Sequence, residues 1–321
     1  MSDKPQLLQI GTITDRMRDR IQAGFEITRL FEQEDRAGFL AAEGESFVAV
    51  VTDGHWGVPD DVAAALPNLK VVSSYGVGYD AIDADAMAAR GVLVGHTPEV
   101  LNDEVADTAI MLWLAVSREL LPSERWARSG EWEAKGNYRL TRSVRGRTVG
   151  IVGLGRIGLT IAKMAEAFDA TVAYHARSQK DVDYAYYPDL VEMARASDVL
   201  IVITPGGAAT RHLVCADVID ALGPDGILIN VSRGSVVDET ALVAALEDGR
   251  LGGAGLDVFE AEPKIPEALK SMDNVVLTPH VGSATVETRI KMGDLVCDNL
   301  DGWLAGGRVV AAVPECADLN G

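Results

Sequence analysis

No stretch of this chain holds the roughly 20 consecutive apolar residues that a bilayer-spanning helix needs, so no membrane segment is expected. The opening residues MSDKPQLLQIGTITDR lack a basic region followed by an apolar core, so no secretory signal is expected either. Cysteine is scarce. The three residues Cys215, Cys297 and Cys316 are too few and too scattered for a disulfide framework or a metal-ligating set. A reduced, cytoplasmic protein without bound metal is the expectation. Basic residues are in deficit as well, with 29 Lys and Arg against 48 Asp and Glu, a net charge of -19. Nucleic acid is therefore not an expected partner, because its binding depends on cations meeting phosphates. A small anionic substrate is not excluded, since charges more than about 8 Å away are screened at physiological salt and local donors decide. Repeats, low-complexity tracts and flexible linkers are also missing.

What the chain does have is length and an α/β rhythm. Its 321 residues suffice for two domains. Strands are expected at Leu7–Ile10, Ser46–Thr52, Leu69–Ser74 and Val92–Gly95, with helices such as Asp60–Leu66 and Ile82–Arg90 between them. A second set begins at Thr148, with strands near Val199–Thr204, Ile227–Val231, Gly253–Leu256 and Val275–Thr278. Alternating strands and helices imply parallel sheets covered on both faces. The expected class is α/β: two doubly wound parallel-sheet domains, Rossmann-like or flavodoxin-like, with an interdomain cleft as the natural active site. Between the sets, Asn102–Leu121 reads as one long helix, apolar nearly all round, which must be covered on several sides. A two-fold dimer interface is the expected cover, with core burial inside one subunit as the other reading. The last helix, Ala284–Leu304, is expected to return to the first domain.

The most specific local signal is TVGIVGLGRIGLTIAKMAEAFDATVAYHARS at 148–178. Gly153, Gly155 and Gly158 have the spacing G-x-G-x-x-G between an apolar strand and an amphipathic helix. That context calls for a tight turn, a close approach of backbone to pyrophosphate, and close packing of helix on strand. The helix opening near Arg156 would aim free amides at a phosphate. NAD-binding units place an acid about 20 residues after the glycines, on the ribose hydroxyls. Here the second strand runs into His175, Ala176, Arg177 and Ser178, with no acid before Asp181. Arg177 can pair with a 2′-phosphate that an acid would repel, and Ser178 can donate to it, so NADP(H) is expected.

Three further strand ends carry chemistry. Arg233, in Asn230-Val231-Ser232-Arg233-Gly234, offers a planar fork that matches a carboxylate or a 2-oxo acid. The turn Asp257-Val258-Phe259-Glu260-Ala261-Glu262-Pro263 carries three acids. His280 follows Thr278-Pro279 at the end of another strand. Ketone reduction by a nicotinamide delivers hydride to carbon and leaves charge on oxygen. A protonated histidine donates to that oxygen, a carboxylate on its other ring nitrogen orients it, and an arginine polarises the carbonyl.

Taken together, Ser74-Tyr75-Gly76-Val77-Gly78-Tyr79-Asp80, the glycine turn, Ser232-Arg233-Gly234, the segment 256–263 and Thr278-Pro279-His280 resemble the D-isomer-specific 2-hydroxyacid dehydrogenases along essentially the whole chain. The resemblance implies a substrate-binding domain at 1–99 plus 286–321 and a dinucleotide-binding domain at 100–285. It places the catalytic arginine, glutamate and acid–base histidine on Arg233, Glu262 and His280. It puts backbone groups of Val77 and Gly78 on the substrate carboxylate, with Arg233 and His280 also touching substrate. Cofactor contacts fall on Leu154, Arg156, Ile157, Thr204, Val231 and Asp257, besides the three glycines and residues 175–178. Formate dehydrogenases of this superfamily carry glutamine in place of the glutamate, so Glu262 counts against that branch. Ala176 stands where NAD-dependent members keep aspartate, which counts against an NAD-dependent phosphoglycerate dehydrogenase. That departure resembles the NADPH-dependent glyoxylate and hydroxypyruvate reductases. The implied reaction is reduction of small 2-oxo acids to D-2-hydroxy acids by a homodimer. Relatives acting on 2-ketogluconate or aryl pyruvates, and non-catalytic corepressors of the same fold, are the alternatives. Trp132, Asn137 and Tyr138 match a region that in some relatives reaches the partner subunit's site; a surface loop with an anchored aromatic is the other reading.

Overall fold

Runs rich in valine, isoleucine and leucine, punctuated by glycine, proline and aspartate, become, among the described residues, twelve short strands in two sheets. The computed structural model describes residues 4–321, and every pairing within its two sheets is parallel. The chain divides into two units, Met1–Leu101 with Thr285–Gly321, and Asn102–Ala284.

The first unit holds β1 (Gln6–Gln9), β2 (Glu26–Arg29), β3 (Phe47–Asp53), β4 (Val71–Tyr75) and β5 (Leu93–Gly95), ordered β2-β1-β3-β4-β5. This is the flavodoxin-like order, with its switch point between β1 and β3. Leu7, Leu8, Ala49, Val50, Val51, Val71 and Val72 are fully buried, as expected for strands covered on both faces. The last helix, Val286–Gly306, belongs to this unit. Arg16 of helix Asp15–Gly24 pairs with Asp294 at 2.8 Å, and Ser73 Oγ of β4 donates to the Val296 carbonyl at 3.0 Å.

The second unit holds β6 (Thr148–Val152), β7 (Thr171–His175), β8 (Ala185–Tyr186), β9 (Val199–Val202), β10 (Ile227–Asn230), β11 (Gly253–Leu256) and β12 (Val275–Leu277). Their order, β12-β11-β10-β9-β6-β7-β8, reverses direction of growth at β6, as in a Rossmann sheet. The helix Arg156–Glu166 buries Gly158, Ile161, Ala162 and Ala165.

The expected helix over 102–121 is two helices, Asn102–Ser117 and Leu120–Arg128, hinged at Glu119 with φ of 48°. Pro122 is the reason. It has no amide to give the Arg118 carbonyl, and its ring would clash with that carbonyl in a continuous helix, whereas the first turn of a new helix tolerates it. The first of these helices is covered largely within its own unit. Leu112 lies against Gly255, Val116 against Gly253, and the Trp113 indole meets Phe168 edge-on at 5.5 Å. Of its large apolar side chains, Met111 is the exposed one.

Candidate active site

Strand register lines up one edge of the second sheet. Leu277, Leu256, Asn230, Val202, Val152 and His175 are successive partners across β12, β11, β10, β9, β6 and β7. This row spans about 24 Å, five strand spacings of about 4.8 Å. The cofactor and catalytic candidates of this unit, unlike Trp132, Asn137 and Tyr138, lie at this row or follow it, at the carboxyl ends where open α/β sheets bind ligands. Gly153–Gly158 leave β6 at the centre, His175–Ser178 leave β7 on one side, and Thr204, Arg233, Glu262 and His280 follow β9 to β12 on the other.

The glycine turn fits a dinucleotide phosphate. Gly153 has φ of 103°, and a Cβ there would stand 2.9 Å from the Ile203 carbonyl oxygen and the Thr204 amide, so only glycine lets the β6 and β9 ends approach. The helix at Arg156 begins on Gly155 with no side-chain cap, which leaves its first amides for an anion. Leu154 is buried under the turn, while Gly155 and Arg156 are exposed. Beyond β7, the His175 ring donates from Nδ1 to the Tyr187 carbonyl at 2.9 Å, and the Tyr186 hydroxyl donates to the Ala176 carbonyl at 3.3 Å. The end of the strand is thereby held, and Arg177 and Ser178 project from it exposed.

On the other side, local turns aim the reactive groups. Asn230 is buried; its Oδ1 accepts from the Ser232 amide and hydroxyl, and its Nδ2 donates to the Arg233 carbonyl at 3.0 Å. The Asn230 side chain therefore builds the turn that carries Arg233. Gly234, next in sequence, is pressed against the Phe259–Glu260 peptide. That peptide belongs to the acid-bearing loop, where Glu262 Oε1 accepts from the Phe259 amide at 3.0 Å. The other oxygen, Glu262 Oε2, accepts from His280 Nδ1 at 2.8 Å. The pairing leaves Nε2 as the histidine nitrogen available to a substrate. His280 is nearly half exposed while Glu262 is mostly covered, so the imidazole presents a face and the carboxylate stays behind it. The His280 backbone is left-handed, φ 53°, a strained setting held by its amide's bond to the Asp257 carbonyl at 2.8 Å.

Asp257 is almost fully buried. Its carboxylate accepts from the Thr278 hydroxyl at 2.6 Å and from the Val281 and Gly282 amides at 2.8 Å each. It thus ties down the loop that carries His280, a task invisible in the sequence. Glu260 turns away from Glu262, meeting Arg211 at 2.6 Å and His212 at 3.1 Å, and its amide donates to Glu239. Burial pushes the Glu239 carboxyl above its ordinary range, opposed in part by the hydrogen bond from the Glu260 amide. Val231 is buried at the end of β10, and Thr204 is half-buried beyond β9. Val77 and Gly78 lie in the first unit, half-buried in the turn after β4. Trp132 is exposed, with its indole N–H toward Asn137 Oδ1 at 3.4 Å, and the Tyr138 hydroxyl donates to Glu119 at 2.6 Å. Tyr138 is thus anchored within its own unit.

Nothing in the sequence marks Glu239, Arg211 and His212, and the motif around Arg233 does not show what Asn230 and Gly234 do in it. The sequence signal for the Asn230 role is an asparagine at a strand end, which favours an Asx-turn.

Residues 110–282 match the model of the D-isomer specific 2-hydroxyacid dehydrogenase, NAD binding domain. Hydroxyphenylpyruvate reductase of Plectranthus scutellarioides is 46% identical over 96% of this chain and 98% of its own. Glyoxylate/hydroxypyruvate reductase A of Arabidopsis thaliana is 44% identical over the same shares. Among solved structures, an NADPH-dependent glyoxylate/hydroxypyruvate reductase from Sinorhizobium meliloti, in complex with NADP and malonate, superposes with a TM-score of 0.92. It is 48% identical, and the match covers 98% of both chains. With its glycine turn, its Arg233 turn and its Glu262–His280 pair on one sheet edge, the chain belongs to the D-isomer-specific 2-hydroxyacid dehydrogenase family.

Proposed function

We propose that this chain is an NADPH-preferring reductase of small 2-oxo acids, glyoxylate and hydroxypyruvate foremost, yielding D-2-hydroxy acids. The observation that carries the reading is the 2.8 Å hydrogen bond between His280 Nδ1 and Glu262, on the sheet edge that also bears Arg233 and the glycine turn. NADPH, when bound, supplies the hydride. Glu262 fixes the imidazole so that Nε2–H donates its proton to the substrate oxygen as that oxygen gains charge. The Arg233 guanidinium binds the oxo acid and polarises its carbonyl. The backbone amides of Val77 and Gly78 hold the substrate carboxylate. Arg177 and Ser178, exposed where an acid would otherwise meet the ribose, receive the 2′-phosphate. The S. meliloti relative, named as NADPH-dependent and solved with NADP and a dicarboxylate, supports both choices. A binding-only role is disfavoured because Arg233, Glu262 and His280 are all present.

Initial rates on glyoxylate, hydroxypyruvate, 4-hydroxyphenylpyruvate and 2-ketogluconate with NADPH and NADH test this. Hydroxypyruvate should give D-glycerate, with kcat/KM favouring NADPH by at least about tenfold, the worth of one charge-assisted contact. No turnover on any oxo acid overturns the enzyme reading. A preference for NADH overturns the role of Arg177.

We further propose a cytoplasmic homodimer. The unpaired Cys215, Cys297 and Cys316 suit a reducing compartment. Met111, Leu120, Leu121, Trp132 and Leu140 are exposed apolar side chains in neighbouring segments of the second unit, and Leu140 is 97% exposed. Sedimentation equilibrium giving the mass of one chain at micromolar concentration would refute the dimer. No helix among the described residues is long and apolar enough to cross a membrane.

A further inference from the structure

The turn that carries Val77 and Gly78 is backed by the two residues that follow β5. The Thr97 amide donates to the Gly76 carbonyl at 2.9 Å, and the His96 ring meets the Val77 carbonyl at 3.0 Å through Nδ1. A carbonyl only accepts, so Nδ1 carries the proton. The Val77–Gly78 peptide is trans, which places the Gly78 N–H opposite the Val77 carbonyl. Fixing the carbonyl on one side therefore aims the amide to the other. Among the described residues, neither the Val77 nor the Gly78 amide donates to a backbone or side-chain acceptor.

His96 is itself firmly held. It is 8% exposed, and its amide donates to the Ala311 carbonyl at 3.0 Å. Its own carbonyl accepts from Asn299 Nδ2 at 3.2 Å. The Tyr79 ring stands edge-on to the imidazole at 5.3 Å, and the Tyr79 hydroxyl donates to Glu315 at 3.1 Å. The His96 backbone is thus held at both its amide and its carbonyl, and its buried ring is packed against Tyr79.

We propose that His96 is a positioning residue for substrate binding, holding the Val77 carbonyl so that the Gly78 amide is aimed at the carboxylate of the 2-oxo acid. The proposal rests on the reading that these amides bind that carboxylate. The role belongs to one ring nitrogen, which makes it testable by isosteres. Asparagine places an amide where Nδ1 stands, and glutamine places one where Nε2 stands.

In the full-length protein, His96→Gln is expected to raise KM for glyoxylate about tenfold, the loss of one aimed hydrogen bond to a charged group. Its kcat and its KM for NADPH should stay within about twofold of wild type, because the variant leaves bound-state chemistry in place. His96→Asn should restore KM for glyoxylate to within about threefold of wild type. His96→Leu, which removes the donor without adding a polar end, should behave like His96→Gln and serves if that variant does not fold. A KM for glyoxylate unchanged in both His96→Gln and His96→Leu overturns the proposal while leaving the functional reading intact. So does an equal rise in His96→Asn and His96→Gln that tracks their loss of Tm, which would mark a purely structural residue. A wild-type chain that reduces no oxo acid overturns the functional reading and this proposal with it.

Discussion

Substituting Gly234 by alanine is expected to disable the enzyme from a position that touches no substrate. Gly234 opens a short 3-10 turn directly after Arg233, and its φ is one that alanine also adopts. The penalty is therefore steric. A Cβ at this position falls well inside contact distance of the Phe259 carbonyl carbon and oxygen and of the Glu260 amide nitrogen. All three atoms belong to one peptide group, so no side-chain rotation relieves the overlap. Ordinary contact begins at 3.4 Å. The peptide, or the Arg233 turn, must retreat by about 1 Å or more in an interior that has little slack. Such overpacking costs about 1–3 kcal/mol of stability. The displacement passes onward, because the Phe259 amide holds Glu262 Oε1 and Glu262 Oε2 holds His280. A misplacement of about 1 Å at a reacting group costs about 100-fold in rate. That loss is about 2.7 kcal/mol at 1.36 kcal/mol per factor of ten. The assay is initial-rate kinetics with glyoxylate at saturating NADPH, alongside a circular-dichroism melt. The expected result is a folded protein, with Tm lowered by about 3–10 °C, kcat down about 100-fold and KM for NADPH little changed. A folded G234A protein with kcat within a factor of two of wild type would show that the 259–262 loop does not govern the histidine.

Glu262→Gln keeps an acceptor for Nδ1 but removes the negative charge, so kcat should fall about 100-fold with little change in KM; wild-type kcat would refute the orienting role. Arg177→Ala should raise KM for NADPH at least about tenfold and leave NADH unaffected. Equal effects on the two cofactors would show that Arg177 does not meet the 2′-phosphate. Asp257→Ala strands the Thr278 hydroxyl and the Val281 and Gly282 amides, and should cost about 3 kcal/mol or more of stability. A Tm within 2 °C of wild type would refute that reading, since even 1 kcal/mol shifts Tm by about 2–4 °C in a domain of this size. Burial pushes the Cys297 thiol up to about 11, so at pH 8 only about one in a thousand is thiolate. Alkylation of the native protein at pH 8, read by mass spectrometry, should mark half-exposed Cys215 and spare the buried Cys297 and Cys316. Early labelling of Cys297 would refute its burial.

Features decided by neighbours in the chain are legible in the sequence. The turn at Gly153 is one, because its glycine spacing and flanking apolar strand are local requirements. The Val- and Ile-rich strands of both sheets are others, and their ends agree with expectation to within about two residues. Two strands escape such a reading. β2 is the polar edge segment Glu-Ile-Thr-Arg, none of it fully buried, and β8 has two residues. An edge strand earns its place by pairing along one side, so composition carries little trace of it. The break at Pro122 is a local signal, masked by the apolar run on either side of it.

The sequence by itself determined the fold class, the cofactor turn and the residue types at the strand ends, because propensity, turn chemistry and parallel topology act over short spans or by general rule. Tertiary structure decided what those residues touch. Register across six strands put Arg233, Glu262 and His280 on one edge, 18 residues of chain separating the last two yet 2.8 Å their atoms. It also gave Asp257 the His280 loop to hold, Gly234 a peptide to press against, and His96 a carbonyl to fix. Those contacts join distant stretches of chain, and sequence spacing carries no information about them until the backbone is folded.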